Sequence, residues 1–179
     1  KYTKRIISYA RKKFQKIMIY DDSYNIHISF EENIKWIKQL KQGFKDNLLK
    51  AYFQPIVDTQ TKEVIKYEAL IRYIDHDGKE FSPYSFLHIA KKTKLYSNII
   101  KVILEDSLKL IKNKNKRVSI NISYDDILNE KTTKYIYNYL DENIDFASNI
   151  EFEILESEEI SDFDLVDTFI DNVSRYGCK

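Results

Sequence analysis

Hydrophobic residues recur along this chain in two patterns, one typical of helices and one typical of strands. The first long helical pattern covers residues 30–49, where apolar residues follow each other at steps of three and four. These residues are Ile34, Ile37, Leu40, Phe44 and Leu48. The spacing predicts an amphipathic helix with one buried stripe, and Glu31 and Glu32 near its start suit the helix dipole.

Short runs rich in β-branched and aromatic residues alternate with helical segments in the rest of the chain. Strands are predicted over residues 51–58, 64–73, 117–123 and 149–157. Helices are predicted from Ser82, with Pro83 at the first helical position, and then over 97–113, 124–143 and 164–177. The short turn TQTK favours antiparallel pairing of the first two strands. The later alternation of strand and helix favours a parallel α/β sheet or barrel.

Polar side chains recur on one face of three of these strands. A strand over 64–73 places Glu68 and Arg72 together on one face. The run SINIS presents Asn121 in the same way, and EFEIL presents Glu151 and Glu153. Strands buried under helices normally read as continuous apolar runs. Three strands would therefore each direct an oxygen-bearing side chain into the barrel. These side chains would lie near the C-terminal ends of the strands, where the active sites of such barrels are found.

Two converging carboxylates and an amide need a cation, protons or an arginine in order to coexist when buried. Glu68, Asn121 and Glu153 are hard oxygen donors, which favours Mg²⁺, Mn²⁺ or Ca²⁺ over zinc. The alternative for each residue alone is a satisfied polar core residue, or a surface residue on an exposed strand. Three such residues on three strands favour the metal site over that alternative.

Composition narrows the functional classes further. The chain has 179 residues, 43% of them hydrophobic, which is enough for one sizeable core. Twenty-nine basic and 28 acidic residues nearly cancel, so no general attraction to nucleic acid or to an anionic membrane is expected. Cys178 is the single cysteine, and only three glycines are present, none in a phosphate-binding loop motif. These features predict a segment that works in the cytoplasm without membrane contact.

Four ordered motifs resemble the EAL domain family of cyclic-di-GMP phosphodiesterases. They are YFQPIVD, YEALIRY, SINIS and EFEILES, and the resemblance covers residues 50–179. It implies an α/β fold, a TIM-like (β/α) barrel of the EAL type with an antiparallel first strand. It also implies that Glu68, Asn121 and Glu153 are metal ligands, with Glu68 and Glu153 catalytic. Gln54 and Arg72 would contact the dinucleotide, and Glu156 would steady an active-site loop.

The implied reaction is hydrolysis of one phosphodiester bond of cyclic di-GMP to the linear dinucleotide by a metal-activated water, with Mg²⁺ or Mn²⁺ as the cofactor. The family uses further ligands that follow the segment matching NVSRYGCK, beginning with an Asp-Asp pair. We therefore expect the 179 residues to be a truncated first half of the barrel and to be inactive alone. The alternative is a degenerate EAL module that binds cyclic di-GMP or a protein as a sensor, without catalysis.

The N-terminal segment has a different resemblance. A basic helix over 2–14 and a strand over 16–23 are similar to the end of a GGDEF (diguanylate cyclase) domain. We therefore expect a GGDEF-like remnant over 1–25, a linker with the first helix over 26–49, and the EAL half over 50–179.

The partners expected are cyclic di-GMP, the preceding GGDEF-like domain and a second copy of the chain. Self-association is expected because half a barrel exposes open strand edges. The basic run KNKNKR is interpreted as a solvated turn, so no nucleic acid polymer is expected. A purely structural or dimerising segment is the third alternative.

Overall fold

The computed structural model of this chain describes residues 22–93, 95–154 and 162–179. In these parts the strands are β1 (Leu49–Val57), β2 (Val64–Ile74), β3 (Glu80–Phe81), β4 (Arg117–Ile122) and β5 (Ile150–Ile154). The helices are α1 (Asp22–Lys45), α2 (Leu87–Lys91), α3 (Tyr96–Lys114), α4 (Tyr124–Leu128), α5 (Glu130–Glu142), α6 (Ile144–Ala147) and α7 (Phe163–Ser174). A short 3₁₀ turn, Pro83–Ser85, precedes α2.

The strands form one sheet in the order β1-β2-β4-β5, with the two-residue β3 paired to β2. β1 and β2 are antiparallel, whereas β2, β4 and β5 are parallel to one another. The predicted α/β fold with an antiparallel first pair is confirmed. The register places Gln54 opposite Glu68, Glu68 opposite Ser119, and Asn121 opposite Glu153.

The hydrophobic core lies between one face of this sheet and the helices. Ala69 and Ile71 of β2 and Ile120 of β4 are buried on that face, as their alternation with polar residues requires. Helical side chains complete the core, among them Leu40, Ile99, Leu104, Ile136 and Phe169, all at most 1% exposed. Burial of each such side chain contributes about 1.5–3 kcal/mol relative to exposure. The opposite face of the sheet is left to the polar residues.

Several predicted boundaries differ from the structure. The first helix already includes Asp22, ahead of the predicted start at residue 30, and it ends at Lys45. The last two residues of the strand predicted over 16–23 are therefore helical, and its other residues lie outside the described ones. The helix predicted over 124–143 is interrupted at Asn129, whose side chain accepts hydrogen bonds from the N–H groups of Lys131 and Thr132 and so begins α5. Ser82 makes no side-chain capping bond, and the backbone after it forms the 3₁₀ turn before α2 begins.

No helix within residues 22–93, 95–154 and 162–179 combines the length and the apolar character needed to cross a lipid bilayer.

Candidate functional site

A side-chain hydrogen bond joins β2 to β4 at the centre of the polar face. The Nδ2 atom of Asn121 donates to Oε1 of Glu68 over 2.7 Å. Both side chains are half-buried, and their residues lie on the two central strands. Because the bond uses the amide nitrogen and one carboxylate oxygen, the amide oxygen of Asn121 and Oε2 of Glu68 take no part in it and could bind a cation. Two of the three predicted ligands are thus brought together.

The third predicted ligand, Glu153, lies directly beside Asn121 in the β4–β5 register. Its side chain is 42% exposed, and its Oε1 atom accepts a hydrogen bond of 3.0 Å from Nζ of Lys66. Lys66 is on β2, two residues before Glu68, so its side chain emerges on the same face of the sheet. The structure therefore places a lysine ammonium between the strand that carries Glu68 and the strand that carries Glu153.

A second carboxylate, Glu151, anchors this lysine. Lys66 Nζ donates to Oε2 of Glu151 over 2.7 Å, and Nη1 of Arg117 donates to Oε1 of the same carboxylate over 2.5 Å. The Glu151 side chain is only 10% exposed. A carboxylate this deeply buried needs a charged or hydrogen-bonding partner at each oxygen, and the two basic side chains supply one partner each.

The ion pairs made by Lys66 shift the pKa values of Lys66 and Glu153 in the directions that favour their charged forms. The hydrogen bond from Lys66 holds the pKa of Glu153 below its usual value, against the effect of partial burial. The bond to Glu151 raises the pKa of Lys66, again against desolvation. The buried hydroxyl of Ser119 also lowers the pKa of Glu153, but it makes no hydrogen bond of ordinary length to a described residue, so we regard it as a weak contact. Lys66 and Glu153 are therefore both charged at neutral pH.

The chain turns sharply just after Asn121, and this turn is tightly fixed. The backbone N–H and the hydroxyl of Ser123 both donate to Oδ2 of Asp126, at 2.7 and 2.5 Å, in a capping box that begins α4. Burial raises the pKa of the Asp126 carboxyl, although the bonds from Ser123 oppose that effect. The end of β4, and with it Asn121, is held by this cap.

The two residues expected to contact the dinucleotide, Gln54 on β1 and Arg72 on β2, lie on the same face of the sheet as Glu68. Gln54 is exposed on β1, directly opposite Glu68. The guanidinium of Arg72 lies 6.0 Å from the ring centre of Tyr52 and donates to the carbonyl oxygen of Ile71 over 3.0 Å. The hydroxyl of Tyr52 in turn contacts Glu80 over 2.5 Å. A guanidinium that is supported in this way can present its remaining N–H groups to a phosphate.

The residues present fit a hard divalent cation in their chemistry. Carboxylate and amide oxygens are the donors that Mg²⁺ and Mn²⁺ prefer, and Glu68, Asn121 and Glu153 lie on three consecutive strands of the sheet. Across the described residues, no three His, Cys, Asp or Glu side chains converge closely enough to hold a metal ion. A cation held here would therefore need the amide oxygen of Asn121 as a third donor, together with water or further side chains.

Sequence reasoning missed two members of this face. Lys66 was not singled out, although strand alternation places it on the same face as Glu68. Arg117 was assigned to the solvated turn KNKNKR, but the structure places it at the start of β4, paired with Glu151. Glu151 was assigned to the face, but its ion pairs were not foreseen, because they depend on how β2, β4 and β5 align. Glu156, predicted to steady a loop, lies outside the described residues.

Comparison with known proteins identifies the family. The family model for the EAL domain matches residues 37–179, which is most of the chain. The chain belongs to the EAL domain family.

Solved structures of EAL proteins share its fold. An EAL domain protein from Listeria monocytogenes is 20% identical, with a TM-score of 0.68 over 79% of this chain and 57% of its own. The FimX EAL domain from Pseudomonas aeruginosa, bound to c-di-GMP, is 22% identical, with a TM-score of 0.70 over 80% of this chain and 60% of its own. The PaMucR phosphodiesterase in complex with c-di-GMP is 23% identical, with a TM-score of 0.70 over 80% of this chain and 61% of its own. The chain thus spans less than two thirds of each of these relatives.

Proposed function

We propose that this chain forms part of a phosphodiesterase that hydrolyses cyclic di-GMP to the linear dinucleotide. The observation that carries the proposal is the 2.7 Å hydrogen bond between Asn121 and Glu68, with Glu153 beside Asn121 on the next strand. This arrangement gathers three hard oxygen donors on one face of the sheet. Membership in the EAL family supports the choice of substrate, as do the related structures that bind c-di-GMP.

Each residue of the site has a role in this proposal. Glu68, Asn121 and Glu153 would hold Mg²⁺ or Mn²⁺. Such an ion, when bound, lowers the pKa of a water molecule and stabilises charge on the phosphate oxygens. Arg72, braced against Tyr52, would bind a phosphate of the dinucleotide by two parallel hydrogen bonds. Gln54 would contact the same ligand from β1.

The alternative is a module that binds cyclic di-GMP or a protein partner without hydrolysing the nucleotide. One observation favours it, namely that Glu153 is already paired with the ammonium of Lys66. The other assignments made from the sequence stay predictions. They are the GGDEF-like remnant over 1–25, the linker over 26–49, the loop role of Glu156, self-association and a cytoplasmic location.

The test is a chromatographic assay of cyclic di-GMP turnover, with Mg²⁺ or Mn²⁺, by the protein at its full natural length. We expect the linear dinucleotide to accumulate, and Glu68→Gln to abolish its formation while the protein stays folded by circular dichroism. The 179-residue chain alone is expected to be inactive. Nucleotide binding by the full-length protein without any product would favour the sensor, and the absence of both would contradict the proposal.

A further inference from the structure

The ammonium group of Lys66 contacts two carboxylates of β5, those of Glu151 and Glu153. It is 2.7 Å from Glu151 and 3.0 Å from Glu153, and the side chain is 22% exposed. β2 and β5 are not neighbours, because β4 lies between them. The lysine therefore reaches across a strand to make both contacts. Through Glu153 it is paired with a candidate metal ligand.

Glu151 fixes the direction in which Lys66 points. One oxygen of Glu151 binds Arg117 and the other binds Lys66, so the carboxylate is fully occupied by two basic groups. Because its side chain is only 10% exposed, this arrangement differs from a flexible surface ion pair, whose partners separate easily. Lys66 is held with one of its three N–H groups donated to Glu151 and another to Glu153.

The formal charges of Lys66, Arg117, Glu151 and Glu153 sum to zero. Lys66 and Arg117 supply two positive charges, and Glu151 and Glu153 supply two negative ones. A divalent cation that binds Glu68 and Glu153 must therefore share Glu153 with an ammonium group or displace it. Like charges at such short range repel, most strongly where water is partly excluded.

We propose that Lys66 competes with the divalent cation for the carboxylate of Glu153 and thereby sets the affinity of the site for that cation. This inference rests on the proposed function, because it takes Glu153 to be a metal ligand. Lys66 is a positioning residue in this account, since it acts on the cation through Glu153. Its charge keeps the affinity low, so the cation binds firmly only when other groups, including the substrate phosphate, add to the coordination.

The competing interpretation is that Lys66 is a structural brace between β2 and β5. The same contacts would then stabilise the sheet without affecting the cation. The two interpretations differ in what happens when the charge at residue 66 is removed but the chain length is retained. If Lys66 is a structural brace, such a substitution loosens the site and weakens metal binding. If Lys66 competes with the cation, the same substitution strengthens metal binding.

The test is a titration of the full-length protein with Mn²⁺ alone, in which free Mn²⁺ is followed by electron paramagnetic resonance. We expect Lys66→Met and Lys66→Gln to bind Mn²⁺ about tenfold more tightly than the wild type. Lys109→Met is the matched control, because Lys109 forms a similar ion pair with Asp106 on α3, away from the polar face of the sheet. The control is expected to retain the wild-type affinity.

A second measurement uses the wild-type protein and does not depend on the folding of a variant. In a crystal structure grown with Mn²⁺, the contact between Lys66 and Glu153 is expected to open beyond about 4 Å, while the contact between Lys66 and Glu151 remains. An ion bound at Glu153 with the lysine contact intact would overturn the inference.

The outcomes separate this inference from the proposed function. If the wild type binds Mn²⁺ and both neutral variants bind it no more tightly, the role of Lys66 is refuted and the metal site stands. If neither the wild type nor the variants bind Mn²⁺, the metal site itself is refuted, and the inference with it. Binding by the neutral variants alone would support the competition directly.

Discussion

The amide of Asn121 and the carboxylate of Glu68 are joined by a 2.7 Å hydrogen bond between neighbouring parallel strands. The two residues are not opposite each other in the register, since Glu68 lies beside Ser119. The side chains therefore lean along the strands to meet. This contact links the strand that carries the EAL tripeptide to the strand that carries the SINIS motif, and it is the feature on which the site depends.

Removal of the Asn121 amide should disable the site without unfolding the protein. We expect Asn121→Ala to lower kcat for cyclic di-GMP by about 100-fold, because it removes one oxygen donor and releases Glu68 from its orientation. Asn113→Ala is the control, since Asn113 is an exposed asparagine on α3. Near-normal kcat in Asn121→Ala, with normal circular dichroism, would contradict the assignment.

Substitution of Arg72 should affect substrate binding more than the chemical step. Arg72→Lys keeps the charge but loses the planar pair of donors that matches a phosphate. We expect KM for cyclic di-GMP to rise about tenfold with a smaller change in kcat. Steady-state kinetics measure both quantities, and Lys50→Arg, at an exposed position of β1 opposite Arg72, is the control. A fall in kcat at unchanged KM would refute a role in binding.

The ion pair between Lys66 and Glu153 makes stability depend on pH. The folded-state pKa of Glu153 lies below the value of 4.5 for a free glutamate. The pair therefore contributes stability above about pH 4.5, and the contribution disappears as the pH falls through the lower, folded-state pKa. Because the side chain is 42% exposed, we expect only about 0.5 kcal/mol.

Urea unfolding of the wild type and of Glu153→Gln at several pH values measures this effect. The difference in free energy of unfolding between the two proteins should be present at about pH 6 and should shrink toward about pH 3. A difference that is independent of pH would show that the carboxylate charge of Glu153 does not stabilise the fold.

Gly43 on α1 is required by close packing against the sheet. A Cβ atom at this position would lie 2.5 Å from Cε2 of Tyr73 and 3.2 Å from Cδ1 of Leu49. Tyr73 is 3% exposed and packs against Trp36 and Phe81, so it has little room to move. We expect Gly43→Ala to lower the free energy of unfolding by about 1–3 kcal/mol.

This expected loss of stability is the opposite of the usual effect, because alanine in an exposed helix normally stabilises by about 1 kcal/mol relative to glycine. Lys41→Ala, at an exposed position of the same helix, should change stability by less than about 0.5 kcal/mol. A stabilising Gly43→Ala in urea unfolding would mean that α1 does not pack on β2 as described.

The sequence revealed the strands and the faces on which Glu68, Asn121 and Glu153 lie, because a period of two residues can be read locally. It did not reveal that Lys66 reaches Glu151 and Glu153. That contact depends on the alignment of three strands, which residues far apart in the chain decide together. The interruption at Asn129 was missed for a related reason. An asparagine inside an amphipathic pattern can either continue a helix or cap a new one, and here its side chain accepts from the N–H groups of Lys131 and Thr132.

Glu68, Asn121 and Glu153 are expected to share one divalent cation, and the proposed function rests on this arrangement. Anomalous X-ray scattering from crystals of the full-length protein grown with Mn²⁺ tests it most directly. We expect one strong manganese peak about 2.0–2.5 Å from an oxygen of each of the three side chains. A manganese peak away from these residues, or contact with only one of them at saturating Mn²⁺, would contradict the account.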